Sequence, residues 1–284
     1  MTTTERLVRF RPATLARLRR ALAWGTTPVV LLGPRGSGLG DLAILAAQIL
    51  LCDEGGCGTC DACRAIAEGR HPEVRMLQDS SPVGEIRELV AFAQQSSASW
   101  RVAGLVGIER MAQAAPILLK AVEEPGSALR WILAGSAVPP ELAPLVSRCV
   151  RVPVEPTGPE EVAELLASLG VELSPELVAL LPGDLGVGEL LGDLPDPAAW
   201  LDAWASLPER AHREHPAELA ARLAPPRGLA SQRQVELVRL GLGVLARRAA
   251  IDVVWVRRAQ LAAVSLQRRL SVALVLAELV APTG

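Results

Sequence analysis

The chain has 284 residues, half of them hydrophobic but only 3% aromatic, and 29 basic against 31 acidic side chains leave a formal net charge of −2. That length suffices for two or three domains, and so balanced a charge excludes a global field that would draw the protein onto nucleic acid or a membrane. No apolar run reaches the roughly 18–20 residues of a membrane span, and the opening MTTTERLVRFRP lacks the apolar stretch of a secretory signal, so a soluble, cytoplasmic protein is expected.

Without tyrosine and with few other aromatics, the core must be built from Leu, Val, Ala and Ile. Residues 13–23 (ATLARLRRALA) carry helical spacing. TTPVVLLG, 26–33, reads as a short buried strand entering a glycine-rich turn, and DLAILAAQILL, 41–51, as a helix with Asp41 favourably placed in its first turn. Strand, glycine-rich loop and helix in that order are the setting of a phosphate-binding loop, G-x-x-x-x-G-K-[ST]. Gly33, Gly36 and Gly38 keep the glycine frame. Leu39 and Gly40, however, stand where the phosphate-contacting Lys and the Mg²⁺-holding Ser or Thr belong. Lys120 is the only lysine of the chain, so no neighbour supplies the missing one.

The string CDEGGCGTCDAC follows. Cys52, Cys57, Cys60 and Cys63 form C-x₄-C-x₂-C-x₂-C, and Gly55, Gly56 and Gly58 supply tight turns between them. Four thiolates so spaced can wrap one Zn²⁺ tetrahedrally, and a closed four-sulfur shell makes a structural rather than a catalytic metal. The alternative is four reduced cysteines in a loop. The fifth cysteine, Cys149, lies far along the chain and is expected to contribute nothing to the metal.

Beyond the cysteines, EIRELVAFAQQ (85–95) has an amphipathic helical pattern, VAGLVGI (102–108) reads as a buried strand, and AAPILLKAVEE (114–124) as a helix. LRWILAG (129–135) is another buried strand, and CVRVPV (149–154) a last short one. This alternation predicts an α/β fold with a parallel, doubly wound sheet. EPTGP is a linker signal, after which the β pattern vanishes. Residues 159–192 read as a few small helices closed by PGDLGVG, and a looser stretch surrounds LPDP (194–197). Helical patterns then run to the end, including 231–250 and 270–280. Three domains are expected: an α/β core over 1–155 that carries the cysteine module at 52–63, a small helical lid over 156–197, and a C-terminal helical domain over 198–284.

The order of these features resembles a known family. The P-loop-like turn, the four-cysteine insertion, HPEV (71–74), IREL (86–89), LLKAVEEP (118–125) and LVSRC (145–149) together resemble the delta-prime subunits of bacterial DNA polymerase III clamp loaders, within the AAA+ proteins. The likeness covers roughly residues 20–155, and its first cysteine gap is shorter than the family usually has. It implies an AAA+ P-loop-type core with a zinc knuckle, a small helical domain and a C-terminal collar domain. It also implies that Ser147, Arg148 and Cys149 are the SRC motif, whose arginine enters the ATP site of a neighbouring subunit. The family's Mg²⁺-binding Asp and catalytic Glu, which close the Walker B strand, fall here on Val106 and Gly107, with Glu109 displaced by two positions. PGDLGVG, where active relatives often carry a phosphate-sensing Arg, has none.

The resemblance therefore implies a non-catalytic subunit without a functional ATP site, holding structural zinc and lending Arg148 to a motor ATPase subunit. Its partners would be those motor subunits and a delta subunit in a hetero-pentamer, which meets primed DNA and the sliding clamp as a complex. Two other readings stand beside it. One is an atypical P-loop ATPase in which Arg35 replaces the lysine, although Arg35 sits within the loop and its reach is wrong. The other is a zinc-stabilised DNA-binding module, which a basic stripe would support, whereas the basic residues here are scattered.

Overall fold

A computed structural model describes residues 3–78, 81–95, 99–123, 128–181, 183, 186–249, 252–268 and 270–281. The chain divides into two compact units, Met1–Pro156 and Thr157–Gly284.

The first unit opens with helices α1 (Thr3–Phe10) and α2 (Pro12–Leu22), then strand β1 (Val29–Leu32) and helix α3 (Leu39–Leu51). Next come α4 (Asp61–Ala67), β2 (Val74–Gln78), α5 (Val83–Gln94), β3 (Arg101–Val106), α6 (Ala115–Glu123), β4 (Leu129–Gly135), the single-turn α7 (Ala143–Val146) and β5 (Val150–Pro153). All pairings are parallel, in the order β2-β3-β4-β1-β5. The inner strands β1, β3 and β4 are buried on both faces, which is why they read as largely apolar runs. Because side chains alternate across a strand, Val30, Ala103, Leu105, Trp131 and Leu133 pack with α5, α6 and α7. Val29, Leu31, Val102, Ile132 and Ala134 pack on the opposite face with α1, α2 and α3. The expected doubly wound sheet is therefore present.

Besides the single-turn α7, three elements of this unit had no clear signal. Strand β2, VRMLQ, lies at the sheet edge with Arg75 and Gln78 exposed, so it lacks the apolar run of an inner strand. Helix α1 begins in a polar threonine stretch, and α4 is folded out of the end of the cysteine string.

The second unit is all helical: α8 (Pro159–Ser168), α9 (Pro175–Leu180), α10 (Val187–Gly192), α11 (Pro197–Ala205), α12 (Leu207–Arg210), α13 (Pro216–Leu223), α14 (Ser231–Arg248), α15 (Val253–Gln267) and α16 (Val272–Val280). One apolar core runs through it from Val162 to Val280, centred on Trp200 and Trp204, whose rings meet edge to face at 5.8 Å. This core spans the expected 197/198 boundary, as do the Arg233–Asp193 ion pair at 2.6 Å and the bond from Arg247 to the Leu180 carbonyl at 3.1 Å. Pro182, Asp184 and Leu185 of PGDLGVG lie outside the described residues. Among the described residues no helix is long and apolar enough to cross a membrane.

Candidate functional site

The cysteine module is built onto the end of α3. Cys52 caps that helix, Cys60 precedes α4, and Cys63 lies in its first turn. Both C-x₂-C segments fold alike: the Cys57 sulfur accepts the Cys60 backbone N–H at 3.4 Å, and the Cys60 sulfur that of Cys63, also at 3.4 Å. All four sulfurs lie within 4.8 Å of one another. Cys52 stands 3.7 Å from both Cys57 and Cys60, sulfur to sulfur. With Zn–S near 2.3 Å, the edge of a tetrahedral sulfur shell is about 3.8 Å, so the site fits one zinc ion held by these four side chains. Backbone N–H groups of Thr59 and Cys60 draw the Cys57 thiol down to about 6, the Cys57 N–H leads in lowering Cys52, and burial pushes Cys63 up to about 12. Gly58, at φ +78°, sits against Thr4 of α1, where an added Cβ would stand 2.9 Å from the hydroxyl oxygen. Any L side chain there is both strained and obstructed.

Gln48 is a support that the sequence reading missed. Buried on α3, it donates from Nε2 to the Cys63 carbonyl at 2.9 Å and ties the two helices that hold the sulfurs. A lone amide in the apolar run DLAILAAQILL, four residues before Cys52, is the signal that could have shown it.

The glycine loop leaves β1 at the carboxyl edge of the sheet, where open α/β sheets bind ligands. Gly38, at φ +77°, is the N-cap of α3. At Gly33 a Cβ would stand 2.7 Å from the Val154 carbonyl oxygen and 3.0 Å from the hydroxyl oxygen of buried Ser37. This glycine therefore lets the loop close on the segment after β5. Gly33→Ala is expected to destabilise the first unit by roughly 1–3 kcal/mol, the usual range for overpacking. An unchanged urea midpoint would show that the loop has room. Leu39 is partly buried against the α3 side of the core, Gly40 faces open space, and Arg35 is exposed.

On the same edge β3 ends at Val106, and Gly107 turns the chain at φ +83°. The acid that remains there, Glu109, is held by Ser136 directly after β4: its carboxylate accepts the Ser136 hydroxyl at 2.9 Å and the backbone N–H at 3.2 Å. The structure thus brings together the ends of β1, β3 and β4, but the side chains it gathers are Leu39, Val106 and a glutamate already bound to a serine.

Arg148 occupies the other edge. It lies in the turn between α7 and β5, and Val150 begins β5 by donating to the Pro28 carbonyl at 2.8 Å, just before β1. The four residues of β1, at about 3.3 Å each, separate this edge from the glycine loop. Each SRC residue folds back on α7. The Ser147 hydroxyl and Arg148 Nη1 both donate to the Pro144 carbonyl, at 2.7 and 2.8 Å, and the Cys149 thiol points at the Leu145 carbonyl at 3.3 Å. Burial pushes the Cys149 thiol up to about 12, so it anchors the turn as an inert, core-facing group. Arg148 is left 44% exposed, with Nη2 2.6 Å from Glu123 at the end of α6. Glu124 and Pro125 of the LLKAVEEP string lie outside the described residues.

Residues 11–158, more than half of the chain, match the family model described as DNA polymerase III, delta subunit. The chain belongs to this family. DNA polymerase III subunit delta' of Pseudomonas aeruginosa is 34% identical over 171 residues, which are 54% of this chain and 52% of that protein. The Bacillus subtilis subunit delta' is 28% identical over 162 residues, 52% of this chain and 47% of that one. The matches thus span about half the length of these relatives. A crystal structure of a DNA polymerase III gamma subunit-related protein from Thermotoga maritima superposes with a TM-score of 0.53 at 15% identity. It covers 94% of this chain and 97% of that one and speaks for the fold alone. Membership in the DNA polymerase III delta subunit family thus agrees with the motif order and with the parallel sheet. The four-cysteine module and the SRC turn both lie inside the matched segment.

Proposed function

We propose that this chain is a non-catalytic subunit of a DNA polymerase III clamp loader that supplies Arg148 in trans to ATP bound on a neighbouring subunit. The observation that carries the reading is the position of Arg148: half-exposed, at the sheet edge opposite the chain's own glycine loop. A finger on that edge serves a second molecule. Its guanidinium is permanently charged and can bridge two phosphate oxygens, offsetting charge that develops as the γ-phosphoryl group transfers.

The chain's own nucleotide edge supports the non-catalytic half of the proposal. Leu39 offers no charge to a phosphate, Gly40 no hydroxyl to Mg²⁺, and Glu109 is bound to Ser136. Arg35 stays exposed on the loop rather than at the lysine position, which disfavours the atypical ATPase. In this reading zinc at Cys52, Cys57, Cys60 and Cys63 is structural. Residues 156–197 act as the lid and 198–284 as the collar of a cytoplasmic hetero-pentamer with motor and delta subunits. Primed DNA and the sliding clamp are met by that complex. The exposed stripe Val254, Leu261 and Val264 on α15 suits a collar helix, because its spacing of seven and three residues places an apolar seam on one face.

The test has two arms. The protein should co-purify with the ATP-hydrolysing loader subunits, and alone it should neither bind nor hydrolyse ATP. Equilibrium dialysis with labelled ATP and Mg²⁺ checks the second arm; micromolar binding, or turnover above background, would return the chain to the ATPases.

A further inference from the structure

We propose that Glu123 is a positioning residue for the Arg148 finger, an inference that rests on the trans-finger reading above. Glu123 ends α6 and Arg148 follows α7, so 25 positions of sequence separate two charges that the fold brings to 2.6 Å. Arg148 is gripped at two points, Nη1 by the Pro144 carbonyl and Nη2 by Glu123. A guanidinium carries five N–H donors in a planar fork. Two contacts on its two terminal nitrogens fix the plane and leave three donors for a phosphate.

The placement of Glu123 is unfavourable for its own helix. A carboxylate in the last turn meets the negative end of the helix dipole, whereas a cation after a helix end, as Arg148 is, is favoured. Lys120, three residues back on the same turn, offsets part of that cost, and Arg148 supplies a charged partner from outside the helix. Around α6 the neighbouring Ala121 and Val122 are buried in the core, so the carboxylate is carried on a rigid element. Solvent screens so exposed a pair and makes it a weak source of stability. Its value lies in holding a rotamer-rich side chain near its working geometry before the neighbouring nucleotide arrives.

The experiment uses the loader reconstituted with its ATP-hydrolysing subunits, sliding clamp and primed DNA. Glu123→Ala should lower ATP hydrolysis at the site served by Arg148 about fivefold, the rate equivalent of about 1 kcal/mol. This is read as a smaller fall in total DNA-stimulated kcat, because the other sites are untouched, while KM for ATP holds. Glu123→Gln keeps an acceptor oxygen and should recover part of that loss. On an Arg148→Ala background, Glu123→Ala should add nothing, because the two residues act as one unit. A wild-type kcat in Glu123→Ala, a raised kcat, a change confined to KM, or a full additional loss beside Arg148→Ala would each overturn the assignment. Arg148→Ala is measured alongside: if it too turns over ATP at the wild-type rate, the finger reading itself has failed, whereas a defect in Arg148→Ala without one in Glu123→Ala removes only the role of Glu123.

Discussion

Arg148→Ala is expected to cripple ATP hydrolysis at one site of the assembled loader while leaving this subunit folded and bound. An arginine finger contributes on the order of 10³–10⁵ in rate to the phosphoryl transfer it serves. Only one of several sites loses its finger, so the measured drop in total turnover is smaller than the drop at that site. The folding side of the prediction follows from what Arg148 touches. Its partners are a carbonyl that Ser147 also uses and a half-exposed carboxylate, and exposed pairs contribute roughly 0–1 kcal/mol. Cys149, the partly buried member of the motif, remains to hold the turn. Arg148→Lys should rescue poorly, because an ammonium lacks the planar fork that spans two phosphate oxygens. DNA-stimulated ATPase and clamp loading are the assays; wild-type loading by the Arg148→Ala complex makes Arg148 a structural residue and removes the central mechanism.

What the sequence disclosed and what it withheld divide along a physical line. Buried strands such as LRWILAG were legible because both faces are covered, so every position but Arg130, which donates to the Leu22 carbonyl at 2.8 Å, is apolar. Strand β2 was not, since an edge strand with Arg75 and Gln78 in solvent has no such run. The metal module was legible because its ligands lie within twelve residues and the spacing itself is the signal. Gln48 and Glu123 were not, because each matters through a partner set by topology. Gln48 reaches the Cys63 carbonyl across two helices, and Glu123 meets Arg148 only after β4 and α7 have been laid between them. The P-loop lay between these cases. Its missing lysine and hydroxyl could be read from residue types alone, but the capture of Glu109 by Ser136 required adjacent ends of β3 and β4.

Cys60→Ser is expected to abolish tight metal binding without removing the cap of α4, and that combination makes it the cleanest test of the knuckle. Purified, metal-replete protein should carry one zinc ion per chain, released by a strong chelator. In small structural sites zinc binding amounts to about 10–16 kcal/mol of apparent free energy that is also folding free energy, so loss of a ligand should unfold whatever the metal alone organises. Here that is the segment from Cys52 into α4, whose ordering otherwise rests on Gln48, Ile66 and the contact of Gly58 with Thr4. Serine is a strong N-cap in its own right, and the Cys60 sulfur now accepts the Cys63 N–H as the cap of α4. The substitution therefore keeps a capping acceptor and removes a thiolate, so fraying of α4 in the variant reports the metal and not the cap. Hydrogen exchange should rise through residues 52–67 while the β1–β4 ladder stays protected, because those strands pack in cores that exclude the knuckle sulfurs. Cys149→Ser should leave zinc content unchanged, since that thiol faces the Leu145 carbonyl on the far side of the sequence from the cluster. Elemental analysis showing well under half an equivalent of zinc in the wild-type protein, or a full equivalent in Cys60→Ser, would mean that the four sulfurs are gathered for some reason other than metal.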